Sequence, residues 1–453
     1  MTMDLAQIIK AYDVRGTVPD QLNDSVAQAI GRAFAQTLIA RGQNKGSIVV
    51  AHDMRESGPA LVEAFTNGVR AEGIDVINAG LGSTDLLYYA SGILDLPGAM
   101  FTASHNPAQY NGIKFCYAGA KAVGQDSGLG QIRTLAQELL GTPLPPLTGS
   151  ISSQDMLSGY AAHLHKLVDL TGIRPLKVVV DAGNGMGGYT VPAVLGTLPT
   201  LEIVPLYFEL DGSFPNHEAN PLEPANLVDL QKAVVAHDAD LGLAFDGDAD
   251  RCFVVDANGA PVSPSAITAL VATRELAKHP GATIIHNLIT SRAVPEIVLE
   301  HGGKPVRARV GHSFIKADMA TTNAVFGGEH SAHYYFRDFW GADTGMLAAM
   351  HVLAALGETG KPLSELGAEF ERYVSSGEIN SRVTDTAAKL ATVKAHFADT
   401  PQDELDGLTV SFDDGSWINL RPSNTEPLLR LNVEAPNQER MSELRDEVLG
   451  LIR

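Results

Sequence analysis

The chain has 453 residues, 45% of them hydrophobic and 19% charged, with a formal net charge of −20. That length exceeds one ordinary core and predicts about three or four domains of folded, globular composition. The acidic balance excludes nucleic acid and anionic membrane as principal partners, while an anionic small substrate stays open because a local basic pocket can sit in an acidic protein.

The N-terminal stretch MTMDLAQIIKAYDVRG lacks a basic segment followed by an apolar run, so no secretory signal is expected. No apolar run is long enough to predict a spanning helix, and a cytoplasmic protein is the expectation. AYDVRG contributes two polar candidates, Tyr12 and Arg15. The stretch from Gly46 then opens with a β-branched run, turns, and continues through a helix-like segment to a second β-branched run. This is a βαβ pattern, which implies parallel strands covered by helices. It recurs from Leu176 and from Gly281, so three related α/β domains are predicted.

The stretch MFTASHNPAQYNGIKF places Ser104 just before Asn106-Pro107, with Lys114 downstream. Asn-Pro favours a turn, and a turn serine commonly bonds a local amide. The other reading makes Ser104 a reactive hydroxyl, which needs a base, a metal or prior covalent modification. Cys116 and Cys252 lie in apolar runs and read as buried free thiols. Gly141 to Asp155, rich in Pro, Gly and Ser, reads as the first linker.

VVVDAGNGMGGYT carries G-x-G-x-x-G at Gly183, Gly185 and Gly188, with Glu209 near the end of the next predicted strand. It matches a dinucleotide fingerprint, but any tight strand-to-helix turn needs such glycines. LGLAFDGDADRCFVVD sets Asp246, Asp248 and Asp250 at alternate positions between apolar runs. Carboxylates so close repel unless a cation neutralises them, and oxygen-only ligands suit a hard ion such as Mg²⁺. The calcium EF-hand alternative fails, because Arg251 and Ala257 stand where that loop needs Gly and Glu.

Further on, VGHSFIK offers His312 and Lys316. GGEHSAHYYF gathers Glu329, His330, Ser331 and His333, where carboxylate and hydroxyl together suit sugar hydroxyls. The tail alternates strand and turn before an amphipathic helix, predicting an α+β domain. Its RPSNTEP segment offers the Arg421 fork beside Ser423, Asn424 and Thr425, as either an anion site or an ordinary hairpin turn. The predicted domains span 1–150, 151–256, 257–372 and 373–453.

Taken in order, AYDVRG, TASHNP with IKF, DGDADR, GHSFIK, GEHSAH and RPSNTEP resemble the α-D-phosphohexomutase family, in its phosphomannomutase/phosphoglucomutase branch. The resemblance runs from Tyr12 to Pro427. It implies three mixed-sheet α/β domains and a C-terminal α+β domain around a central cleft. It implies that Ser104 carries a phosphoryl group, and that Asp246, Asp248, Asp250 and a phosphoserine oxygen bind one Mg²⁺. Glu329 and Ser331 would contact sugar hydroxyls. Arg421, Ser423, Asn424 and Thr425 would hold the substrate's phosphate. Tyr12 would bind substrate, and Arg15, Lys114, Arg251 and His312 would be polar cleft residues near the transfer, with Lys114 or His312 as base. The implied activity interconverts mannose 6-phosphate and mannose 1-phosphate, and the glucose pair, through a hexose 1,6-bisphosphate that also serves as activator. Phosphoglucosamine mutase, a non-catalytic phosphosugar-binding protein and a nicotinamide enzyme are the alternatives. Monomer and homodimer are both compatible with the chain. One position departs from the family pattern: Ala332 stands where the sugar loop usually has Gly, and alanine resists positive φ.

Overall fold

A computed structural model describes residues 4–10, 12–423 and 428–453. The chain divides into two compact units. The first comprises Met1–Val262 with Ser331–Ser364, and the second Ser263–His330 with Glu365–Arg453.

The first unit holds two α/β sheets. In one, the β-branched strand Ser47–His52 runs parallel to Asp75–Leu81 and to Gly98–Phe101. Gly98–Phe101 then pairs antiparallel with Tyr110–Tyr117, which pairs antiparallel with Val14–Thr17. Helices Asp24–Ala40 and Gly58–Ala71 cover this sheet, and Asn23 caps the first by accepting from the Val26 amide. Phe34, Phe65, Phe101 and Phe115 fill the interior. The linker's Ile151–Ser153 adds a short parallel strand beside Asp75–Leu81.

In the other sheet, Leu176–Asp181 lies between parallel neighbours Leu201–Leu206 and Leu241–Phe245. Cys252–Asp256 returns antiparallel to Leu241–Phe245, so the DGDADR segment is the connection of a hairpin. Packing accounts for the glycines of the strand-to-helix turn here. A Cβ on Gly188 would lie 2.2 Å from the Phe208 carbonyl oxygen, and the helix it enters, Gly187–Val194, spans only 8 residues with Pro192 inside. The unit also includes the hairpin of Tyr334–Phe336 with Ala342–Asp343 and the almost wholly buried helix Gly345–Glu358.

In the second unit, Thr283–Asn287 is parallel to both Lys304–Ala308 and Phe326–Gly328. The C-terminal part is an antiparallel sheet in which Leu428–Ala435 pairs with Trp417–Pro422 on one side and with Val374–Ser375 and Ile379–Arg382 on the other. The amphipathic helix Gln438–Ile452 lays Met441, Leu444, Val448 and Ile452 on Leu420, Leu431 and Val433. The architecture is therefore three α/β domains followed by an α+β domain. Both cysteines are buried and free. Among the described residues, no helix is long and apolar enough to cross a membrane.

Candidate active site

TASHNP is a turn, and the turn holds its serine in a strained conformation. Ser104 follows Gly98–Phe101 at the carboxyl end of that strand, with φ of +50°, a region rare for residues other than glycine. Its amide donates to Thr102 Oγ1 at 2.9 Å, and its hydroxyl donates to Asp246 Oδ2 at 3.0 Å. Arg55, only 2% exposed, holds the turn from behind. Its Nη2 donates to the carbonyls of Ser104 (2.9 Å) and Asn106 (2.6 Å), and its Nη1 to those of Pro107 (2.9 Å) and Tyr110 (2.8 Å). Asp53, fully buried, anchors the Arg55 Nε at 3.2 Å, and Phe214 lies with its ring centroid 5.2 Å from the guanidinium carbon.

Removing the Arg55 guanidinium takes a donor from four carbonyls, of which that of Pro107 keeps the Tyr110 amide, and removes the charge partner of the buried Asp53 carboxylate. Arg55→Met is expected to cost about 3–5 kcal/mol of stability. Denaturant unfolding measures it, and a loss under about 1 kcal/mol would show that the turn does not depend on Arg55.

The hairpin connection brings three buried carboxylates to that serine. Oxygens of Asp246, Asp248 and Asp250 lie within 4.8 Å of one another. Gly247 allows the approach, because a Cβ there would sit 2.4 Å from the Ser104 carbonyl oxygen. Both Nε and Nη2 of Arg251 lie 2.8 Å from Asp246 Oδ2. Lys114 Nζ bridges Asp248 and Asp250 at 2.7 Å each, and Thr84 donates to Asp248 at 2.6 Å. Asp248 Oδ1 and Asp250 Oδ1 are buried with no hydrogen-bond partner. Two orphaned carboxylate oxygens in an all-oxygen cluster suit a hard divalent cation.

The protonation equilibria follow from this crowding. Burial pushes Asp246 up to about 7 against the pull of Arg251, with Asp250 and Asp248 adding to the rise. Burial also opposes ionisation of Asp248, but the Lys114 ammonium and the hydrogen bonds from Lys114 and Thr84 hold it well below the usual carboxylate range. Lys114 loses from burial and gains more from Asp248 and Asp250, so it remains an ammonium. Burial, then Arg251 and Arg15, lower His105 to about 2. The neutral imidazole accepts from Arg251 Nη2 at 2.6 Å. Arg15 donates to the Asn106 side chain and to Asp13 at 2.8 Å. Tyr12 precedes the strand Val14–Thr17 that carries Arg15.

The remaining expected residues fall elsewhere. Glu329, 2% exposed, accepts from Asn287 Nδ2 at 3.1 Å in the second unit, where His330 Nδ1 lies 3.0 Å from Ser265 Oγ. Ser331 begins the segment that belongs to the first unit. Ala332 does take positive φ, +64°, although it is alanine, so the loop keeps the left-handed turn that a glycine would adopt more readily. His333 Nδ1 lies 2.9 Å from Asp343 Oδ2, and its backbone bridges that of Arg251. His312 opens the helix His312–Thr322 in the second unit. Arg421, 8% exposed, donates from Nη2 to Glu378 Oε2 at 2.7 Å, and the Ser423 amide donates to the Leu428 carbonyl at 2.9 Å. Asn424 and Thr425 lie outside the described residues.

Sequence reasoning missed Asp53, Arg55, Thr84, His105, Asp343 and Glu378. Asp53-x-Arg55 had a usable signal, since it sits at the carboxyl end of a predicted parallel strand, where α/β sheets place their sites. The others act through tertiary contacts that leave no local pattern.

Comparison with known proteins accounts for this arrangement. Four domain families match the chain: phosphoglucomutase/phosphomannomutase alpha/beta/alpha domains I, II and III at residues 6–138, 158–259 and 263–373, and the C-terminal domain at 378–451. A protein of Xanthomonas campestris pv. campestris named phosphohexose mutases is 42% identical over 451 residues, covering 98% of each chain. A phosphomannomutase of Salmonella montevideo is 40% identical, covering 98% of each. A phosphomannomutase/phosphoglucomutase of Pseudomonas aeruginosa is 37% identical, covering 97% of this chain and 94% of its own. The crystal structure of a phosphoglucomutase/phosphomannomutase family protein from Burkholderia thailandensis superposes with a TM-score of 0.89 at 35% identity, covering 98% of this chain and 96% of that one. With all four domains matched in order and full-length relatives at this identity, the chain belongs to the phosphoglucomutase/phosphomannomutase family of phosphohexomutases, which are isomerases.

Proposed function

We propose that this protein interconverts hexose 6-phosphates and hexose 1-phosphates by passing a phosphoryl group through Ser104, with mannose phosphates preferred and glucose phosphates accepted. The observation that carries the reading is the Ser104 hydroxyl 3.0 Å from Asp246, beside buried carboxylate oxygens of Asp248 and Asp250 that lack hydrogen-bond partners. A non-catalytic binding protein would gain nothing from carboxylates placed against an anionic ester. The mannose preference is supported by relatives named phosphomannomutase in Salmonella and Escherichia coli.

In this reading Ser104 is phosphorylated at rest. Arg421, Ser423, Asn424 and Thr425 bind the phosphate the substrate already carries, while Glu329 and Ser331 bind sugar hydroxyls. Asp246, Asp248, Asp250 and a phosphoserine oxygen would hold one Mg²⁺, which neutralises charge on phosphoryl oxygens when bound. The free sugar hydroxyl attacks the phosphoserine phosphorus, the P–O bond to Ser104 breaks with its electron pair left on Ser104 Oγ, which takes up a proton to become the hydroxyl, and a hexose 1,6-bisphosphate forms. His312 takes the hydroxyl proton, because Lys114 is already protonated between two carboxylates. Arg15, Arg251 and Lys114 spread positive charge towards the transferring group, and Tyr12 lines the sugar's path. The bisphosphate reverses end for end and returns its other phosphoryl group to Ser104. Free bisphosphate re-primes any dephosphorylated serine, which makes it an activator. The enzyme works in the cytoplasm as a monomer or homodimer.

The test compares kcat/KM for mannose 1-phosphate, glucose 1-phosphate and glucosamine 6-phosphate. The first two are expected within about 10-fold of each other and glucosamine 6-phosphate at least about 100-fold lower. Glucosamine 6-phosphate turning over fastest would assign the chain to phosphoglucosamine instead.

A further inference from the structure

In the C-terminal sheet, Arg421 and Arg430 stand directly opposite each other on neighbouring antiparallel strands. Like charges in that register repel. One carboxylate resolves the conflict. Glu378, just before the strand Ile379–Arg382 that flanks Arg430 on the other side, sets Oε2 2.7 Å from Arg421 Nη2 and Oε1 3.3 Å from Arg430 Nη1. The match is incomplete. The Nε atoms of both Arg421 and Arg430 are buried with no hydrogen-bond partner. Two guanidinium groups offer more donors than one carboxylate accepts, and their combined charge exceeds its own. A phosphate dianion, with three acceptor oxygens and nearly twice the charge, would satisfy the pair better.

We infer that Glu378 is an internal stand-in for the substrate's phosphate, a carboxylate that occupies the Arg421 fork at rest and yields it to the incoming ester. This rests on the reading of Arg421 as the phosphate-binding arginine. When the ester binds, Glu378 gives up Arg421 and keeps Arg430, so the arginine opposite stays neutralised. The exchange has a consequence for affinity. An incoming anion gains only the difference between its own attraction to Arg421 and that of Glu378. That subtraction is the same for every anion, so Glu378 weakens phosphate and sulfate esters by the same factor. A phosphate ester still displaces it more readily than a sulfate ester, because it brings a second charge to Arg421. A counter-ion with a purely structural role would do the opposite, because its loss would set Arg421 and Arg430 against each other and loosen the site for every ligand.

Glu378→Gln separates the two roles. Three quantities are measured: KM for mannose 1-phosphate, the competitive inhibition constant of hexose 6-sulfate (a singly charged isostere), and KM in Arg421→Ala. The inference expects Glu378→Gln to lower KM by about 3-fold and to lower the sulfate constant by a similar factor. It expects Arg421→Ala to raise KM by more than about 10-fold. If Arg421→Ala raises KM while Glu378→Gln raises KM and the sulfate constant or leaves both unchanged, the stand-in is overturned and the phosphate-binding reading survives. If Arg421→Ala leaves KM where it was, both fall. Should Glu378→Gln prove too unstable to assay, Glu378→Asp, whose shorter carboxylate no longer spans both arginines, is judged by the same three numbers.

Discussion

Wild-type protein is expected to purify with a phosphate adduct, and Ser104→Ala to purify without it and to turn over mannose 1-phosphate at least about a thousand-fold more slowly. The magnitude follows from what the hydroxyl does. In the proposed mechanism it is the atom that holds the phosphoryl group between the two half-reactions, so no neighbouring donor would replace it. The fold should tolerate the change. Alanine adopts the left-handed turn at a cost similar to that of serine, and the lost hydrogen bond to Asp246 is worth about 1 kcal/mol. Arg251 still neutralises Asp246. Intact mass spectrometry and steady-state kinetics on the same preparations decide the matter. An alanine variant with wild-type turnover would remove Ser104 from the chemistry.

Exhaustive chelation should lower activity at least about 100-fold, and added Mg²⁺ should restore it, while Asp248→Asn should resist restoration. The fold should survive metal removal, because Lys114 already spans Asp248 and Asp250 at 2.7 Å and Arg251 already pairs with Asp246. The cations lessen the mutual repulsion of the carboxylates without satisfying Asp248 Oδ1 or Asp250 Oδ1. Thermal unfolding with and without chelator should therefore differ only by the linkage expected for a bound ligand. Full turnover in the chelated protein would show that the triad is a structural charge cluster held by Lys114 and Arg251.

The recurring βαβ pattern in the sequence predicts the α/β sheets, since each strand is a short β-branched run and each turn is marked by glycine or proline. The acidic triad was legible for the same local reason, as alternate aspartates between apolar strands have few other uses. Ser104 was ambiguous in isolation and became readable only beside DGDADR, about 140 residues away in the chain. Lys114 shows where local reading stops. As a base candidate it looked no different from any lysine at a strand, and its pairing with two carboxylates makes it a fixed cation.

The sequence by itself determined which chemical groups this protein has to work with: a serine in a turn, three aspartates on a hairpin connection, an arginine in the tail. Those are matters of residue type and short-range spacing, and backbone propensity and patterning act over the same few residues. Only the tertiary structure decided how each group is held. Arg55 reaches the Ser104 turn from the loop after another strand, Gly247 lets the acidic hairpin touch that turn, and Glu378 reaches Arg421 from just before a different strand of the same sheet. Such contacts join residues tens to hundreds of positions apart, and the charge state of a buried group depends on all the neighbours that packing brings to it.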